Sequence, residues 1–180
     1  MTYVPFDLSG SVALVTGGND GIGLGMALAL AWAGADVAVW GRDVAKNDAA
    51  CAALSACGVR AWAHQAGISS EEQVGEGFRA TLADCGRLDT VIANAGTGPP
   101  LTPLVDADTV TWRQVLGVNL DGVFWTLRDS ARHIVERSQA GDPGGSLVAI
   151  ASLAAVEGAA RNQAYAATKG GVVAMVRAPH

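Results

Sequence analysis

The sequence predicts an α/β chain built on a doubly wound, parallel sheet of about five strands. Three observations carry that expectation. Short runs rich in Val, Ile, Leu and Ala alternate along the 180 residues with longer segments of helical pattern. Several runs are apolar almost without interruption, as parallel strands covered by helices on both faces must be. The order βαβαβαβαβα follows, and right-handed crossovers then leave the sheet open and doubly wound.

The first strand is Val12–Thr16, and a helix is expected over Ile22–Ala33. The second strand, Asp36–Trp40, leads to an Ala-rich helix over Val44–Ala56, where Cys51 and Cys57 read as small apolar packing residues. A third strand, Arg60–Gln65, precedes a helix over Glu71–Cys85 whose Glu71, Glu72 and Glu76 read as a solvated face. The fourth strand, Thr90–Ala93, opens into an irregular connection, Thr97–Thr111, and then one long helix, Trp112–Ser138. A polar turn, Ser138–Gly145, leads to the fifth strand, Ser146–Ala151, and the last helix covers Gln163–Arg177. Trp32, Trp40, Trp62, Trp112 and Trp125 lie in apolar segments and are expected in the core or at an interface. With no internal repeat and no linker, residues 1–180 read as a single domain.

Composition excludes several classes. Half the residues are hydrophobic and only 16% are charged, which a disordered chain would not show. The 23 glycines follow no Gly-X-Y period, so a collagen-like reading fails. A net charge of −5 argues against a nucleic-acid partner. MTYVPFDLSG lacks the basic and apolar regions of a signal peptide, and no apolar run approaches ~18 residues, so a soluble, cytoplasmic chain without a membrane partner is expected. Neither the three cysteines nor His64, His133 and His180 have metal-ligand spacing, so no metal site is expected.

The first strand runs into Thr16-Gly17-Gly18-Asn19-Asp20-Gly21-Ile22-Gly23, and a helix pattern follows at once. Glycines there allow a tight turn and let backbone N–H groups approach a pyrophosphate at the helix N-terminus. The spacing Gly17-x-x-x-Gly21-x-Gly23 differs from G-x-G-x-x-G, but its place at the first βα junction is where doubly wound folds bind nucleotides. The fold is accordingly read as Rossmann-like.

An Asp or Glu closing the second strand would bond an adenosine ribose 2′-OH and repel a 2′-phosphate. Gly41 stands there instead, followed by Arg42, which suits a phosphate and points to NADP(H), with NAD(H) left open. Arg42 equally reads as a solvated charge at a helix start, and Asp20 weighs against an added anion.

Ser152 follows the fifth strand, and Tyr165 and Lys169 lie four residues apart, on one face of a helix. An ammonium beside a phenol favours the phenolate, which suits proton transfer. No G-x-S-x-G surrounds Ser152, which argues against a hydrolase.

Together these residues resemble the short-chain dehydrogenase/reductase family, from about Asp7 to about Val176. Thr16–Gly23 matches its T-G-x-x-x-G-x-G loop, Asn94-Ala95-Gly96 its N-A-G motif, Asn119 its helix Asn, and Ser152, Tyr165 and Lys169 its remaining catalytic positions. The resemblance implies hydride transfer between a nicotinamide cofactor and a small carbonyl compound or secondary alcohol. Tyr165 would be the acid/base, Ser152 would position the carbonyl oxygen, and Lys169 would assist Tyr165 and hold the nicotinamide ribose. Asn119 would support a proton-relaying water. Thr16, Gly17, Asn19, Asp20, Gly21, Ile22, Gly23, Arg42, Ile68, Asn94, Ala95, Gly96, Tyr165 and Lys169 would contact the cofactor. It also implies a homo-oligomer through the long helix and the Tyr-Lys helix.

Three departures stand out. Gly67 occupies the place of an Asp that contacts the adenine in many members, leaving the Ile68 N–H to do so, and Ala93 replaces the first Asn of N-N-A-G. Arg177-Ala178-Pro179-His180 matches no family continuation, so the chain reads as shortened after the Tyr-x-x-x-Lys helix, without the last two strands and lid. The fifth strand then becomes an apolar edge. Two readings follow: an NAD(P)-dependent oxidoreductase, or an impaired remnant that binds dinucleotide weakly or only associates with full-length relatives.

Overall fold

A computed structural model describes residues 6–178 of the chain; His180 and Pro179 lie outside the described residues. Five short runs form β1 (Val12–Thr16), β2 (Asp36–Gly41), β3 (Ala61–Gln65), β4 (Thr90–Ala93) and β5 (Ser146–Ala149), all but β3 carrying β-branched residues. They make one parallel sheet in the order β3-β2-β1-β4-β5. Register is tight at the centre: Val12 pairs with Asp36 and Thr16 with Trp40, while Ala13 pairs with Thr90. The order reverses between β1 and β4, so the crevice at their carboxyl ends is the topological switch point.

Helices α1 (Gly21–Trp32) and α2 (Val44–Ser55) cover one face, and α3 (Glu71–Cys85) lies on the other. Strand alternation divides the core accordingly. Val15, Val37, Val39 and Ile92 pack with Ala27, Ala31 and Leu54, whereas Leu14, Trp40 and Val91 pack with Val74 and Phe78. The helix starts are chemically marked: Asp43 accepts from the Lys46 N–H at 3.1 Å and Ser70 from the Gln73 N–H at 3.4 Å. Gly86, at φ +78°, ends α3 in the left-handed region.

The expected single helix over Trp112–Ser138 is corrected by the structure. It begins earlier, as α4 (Thr109–Leu116), because Asp108 accepts from the Thr111 N–H at 2.8 Å. A π-helical turn, Gly117–Asp121, then interrupts it before α5 (Gly122–Gln139). The expected irregular connection contains a 3₁₀ turn, Leu104–Asp106, and the fifth strand ends two residues earlier than expected. A short helix, α6 (Ala154–Glu157), leads to α7 (Gln163–Arg177), which packs with α5 around Ala93, Val123 and Val172.

Of the two places expected for the tryptophans, Trp32 is not in the core, being 74% exposed at the end of α1, whereas Trp40 is 1% exposed. The difference is positional, since Trp40 sits on a strand covered on both faces. β5 forms the sheet edge, with Leu147 and Val148 partly exposed. At the amino-terminal end of the sheet, Arg137 binds the Leu88 carbonyl at 2.7 Å and Asp89 at 3.0 Å, tying α5 to the approach to β4. Among the described residues no helix is long and apolar enough to cross a membrane, and no three His, Cys, Asp or Glu side chains converge as metal ligands would.

Candidate active site

The glycine loop takes its shape from close packing against the segment after β4. Gly17 has φ +64°, and a Cβ there would stand 3.0 Å from the Ala95 Cα. Gly23 is more constrained: a Cβ would collide with the Gly17 carbonyl and stand 2.6 Å from the Asn94 Nδ2. The Asn94 carboxamide donates to the Thr16 carbonyl at 3.0 Å and the Gly17 carbonyl at 3.3 Å. Thr16 Oγ1, itself buried, accepts from the Asn94 and Ala95 N–H groups at 3.1 Å each. Thr16, Asn94 and Ala95 therefore clamp the loop at the switch point. The structure predicts that Gly23→Ala costs about 1–3 kcal/mol of stability, the usual penalty for overpacking. A denaturant midpoint within 0.5 kcal/mol of the parent, roughly the scatter of surface changes, would contradict this packing.

Asp20 caps α1, accepting from the Gly21 N–H at 2.8 Å, and its other oxygen lies 2.6 Å from Lys46 Nζ. The hydrogen bond with Lys46 holds the Asp20 carboxyl below the usual carboxylate range and the Lys46 ammonium above its own. Ile22 is exposed beside the cap. Behind it, Asn47 is a buried hub: its Oδ1 accepts from Asn19 at 2.8 Å, and its Nδ2 donates to the carbonyls of Gly41 at 3.0 Å and His64 at 3.2 Å. Lys46 and Asn47 were not legible as site residues, because helix positions carry no mark of what they will face. The one signal was a polar Asn in the first turn of an apolar helix. Arg42 is exposed, and its carbonyl accepts from Gln65 Nε2 at 3.2 Å. The Ile68 side chain is buried in the core beside α3.

The Tyr-Lys edge is assembled from β5 and α7. Lys169 is 4% exposed, and its Nζ donates to the Ile150 carbonyl at 2.6 Å, just past β5. The same ammonium lies 5.6 Å from the centre of the Tyr165 ring. Burial pushes the Lys169 pKa down from the usual value for lysine. Ser152, two residues beyond Ile150, accepts from the Ala154 N–H at 3.2 Å. Asn119 sits inside the π-helical turn and is buried. It accepts from the Thr97 N–H at 2.7 Å and donates to the Thr97 carbonyl at 2.8 Å, so it anchors the loop after Gly96. Such wide turns are frequent at functional sites.

The loop after Gly96 reaches the start of α7, where the Thr102 N–H donates to the Arg161 carbonyl at 2.8 Å. Between them lies a small cleft of about 50 Å³, lined by Pro99, Pro100, Leu104, Trp112 and Arg161. A larger groove, about 440 Å³, lies between α3 and α5, with Arg79, Arg132 and Glu136 on its walls, apart from the Tyr-Lys edge.

An open parallel sheet in this order, with a glycine-rich turn after its first strand, defines the Rossmann-like class. Within that class the chain belongs to the short chain dehydrogenase family, which it matches over residues 11–180. It is 35% identical over 167 residues to cis-4-hydroxycyclohexanecarboxylate dehydrogenase of Sinomonas cyclohexanicum, covering 92% of this chain and 64% of that protein. The chain thus spans less than two thirds of that relative's length. Its structure superimposes on the 3-ketoacyl-(acyl-carrier-protein) reductase of Brucella melitensis complexed with NADH with a TM-score of 0.87 at 31% identity, covering 94% of this chain and 68% of that one. A metagenomic short-chain oxidoreductase in complex with NADP gives 0.86 at 33% identity, covering 93% and 74%.

Proposed function

We propose that this chain is the dinucleotide-binding and proton-transferring part of an NAD(P)-dependent oxidoreductase that interconverts a small carbonyl compound and a secondary alcohol. The observation that carries the reading is the Lys169 ammonium, buried between the Ile150 carbonyl and the Tyr165 ring at the carboxyl edge of the sheet. The residues present fit a dinucleotide: the loop Gly17–Gly23 is clamped from behind by Asn94, and its helix end stays open to solvent at Gly21 and Ile22. Thr16, Gly17, Asn19, Gly21, Gly23, Ala95 and Gly96 would form that cradle, and Ile68 would face the adenine through its backbone. When bound, the nicotinamide supplies or takes up the hydride.

The chain's own groups handle the proton. Hydride arriving at a carbonyl carbon builds negative charge on oxygen, which Ser152 offsets by donating a hydrogen bond. Tyr165 donates the proton to that oxygen in reduction and removes it in oxidation. Lys169 stabilises the phenolate left behind and would hold the nicotinamide ribose of a bound cofactor. Asn119 keeps one amide hydrogen and one lone pair beyond its Thr97 bonds, enough to hold a relaying water. Exposed Phe124 and Val135 on α5 and Val176 on α7 support self-association through these helices.

Thermal melts test the cofactor reading. At a hundredfold excess over Kd, a ligand of the native state stabilises it by about 2.7 kcal/mol. NADPH is expected to raise the melting temperature more than NADH. Arg42→Ala is expected to weaken NADPH roughly tenfold, about 1.5 kcal/mol, with NADH little changed. No shift with either cofactor at millimolar concentration would sink the oxidoreductase reading. Equal losses for both would remove Arg42 from the choice. A shift without turnover on any carbonyl compound would favour a binding remnant.

A further inference from the structure

We propose that Lys46, held in place by Asp20, is a second cation for the 2′-phosphate of a bound dinucleotide and, with Arg42, sets the choice between phosphorylated and unphosphorylated cofactor. The proposal rests on the cofactor reading above. Lys46 lies in the first turn of α2, and its Nζ reaches across to Asp20 Oδ2 at 2.6 Å. The ammonium therefore spans the gap between the glycine loop and the end of β2, where the adenosine ribose of a dinucleotide lies in this class of sheet.

Both ends of that span are fixed. Asp20 is held by its bond from the Gly21 N–H. Next to Lys46, the buried Asn47 binds Asn19 in the glycine loop and the Gly41 carbonyl at the end of β2. These bonds also decide what stands at the strand end. A Cβ at Gly41 would collide with the carboxamides of Asn19 and Asn47, so the place of a ribose-binding acid is filled by neutral amides. No carboxylate therefore stands at position 41 itself.

Two cations and two acids meet here. Asp20, the one acid in the loop Gly17–Gly23, faces Lys46, and Arg42 adds the second cation. Asp43, the next acid, accepts from the Lys46 N–H in capping α2. Lys46 and Asp20 are both more than half exposed, and exposed ion pairs hold weakly. A dianionic phosphate offers stronger charge-assisted bonds, so Lys46 exchanges one partner for the other at little cost. Asp20 thus parks the lysine and limits how far it favours the phosphate.

Calorimetric titration with 2′,5′-ADP and 5′-AMP separates the 2′-phosphate from the rest of the nucleotide. The parent chain is expected to bind 2′,5′-ADP more tightly. Lys46→Ala should cut that preference about tenfold, the scale of one charge-assisted hydrogen bond. Lys46→Arg should retain it, and Asp20→Asn should increase it. An unchanged preference in Lys46→Ala, with an unchanged melting temperature, overturns the proposal while leaving the cofactor reading intact, as does a lowered preference in Asp20→Asn. Binding of neither nucleotide by the parent overturns both.

Discussion

Tyr165→Phe is expected to remove carbonyl–alcohol turnover, by 10²-fold or more, without weakening cofactor binding. Positioned general acids and bases contribute about 10²–10⁴-fold, and the phenol hydroxyl is the group proposed to move the proton. The substitution deletes that hydroxyl alone. It keeps the ring whose centre lies 5.6 Å from Lys169 Nζ, and it leaves the bond from Lys169 to the Ile150 carbonyl untouched. The helix is equally undisturbed, since Thr168 Oγ1 donates to the backbone carbonyl of Tyr165, not to its side chain. The measurement is a split: kcat on a carbonyl substrate, beside the cofactor-induced shift in melting temperature. Turnover within tenfold of the parent would assign the proton to another group. Loss of the thermal shift would instead show that Tyr165 holds the cofactor.

The largest effect on stability is expected at Trp40. Its ring is almost completely buried, packs on Gly77, and donates through Nε1 to Thr81 Oγ1 at 2.9 Å. Thr81 passes the chain on to the Gly77 carbonyl at 2.8 Å. Gly77 leaves room for the ring, since a Cβ there would stand 3.2 Å from the Trp40 Cζ2. Trp40→Ala leaves a cavity and is expected to cost about 3–5 kcal/mol. Trp40→Phe keeps much of the apolar area, loses one hydrogen bond and is expected to cost less. Denaturant unfolding reads both, and a loss below 1 kcal/mol for Trp40→Ala would mean that the site collapses freely. Because Trp40 precedes Gly41, loosening it also loosens the strand end that Asn47 holds.

Much of the scaffold was legible in the residues. Val12–Thr16, Thr90–Ala93, Glu71–Cys85 and Gln163–Arg177 have the expected limits. Continuous apolar runs and helical patterns act within a few residues, so they can be read locally. The π-helical turn could not be read this way. Its wide hydrogen bonding accompanies the Asn119–Thr97 bonds, which join residues 22 apart. Nor could the residues alone place Trp32 outside the core, because apolar character marks what can be buried, not what finds a partner within the chain.

The candidate site divides along the same line. Glycines after a first strand, and a Tyr and Lys four apart, are patterns of type and spacing, visible before any folding. That Asn94 spends its side chain on the glycine loop was not visible. Nor was the pairing of Asp20 with Lys46, or the Asn47 hub behind it. The sequence alone determined an open parallel sheet, the place of its switch point and the side chains available there, because those follow from short-range periodicity and local chemistry. Only the tertiary structure decided which of those groups are spent on one another and which are left free. That outcome depends on distances between elements far apart in the chain, set by how two layers of helix close on the sheet.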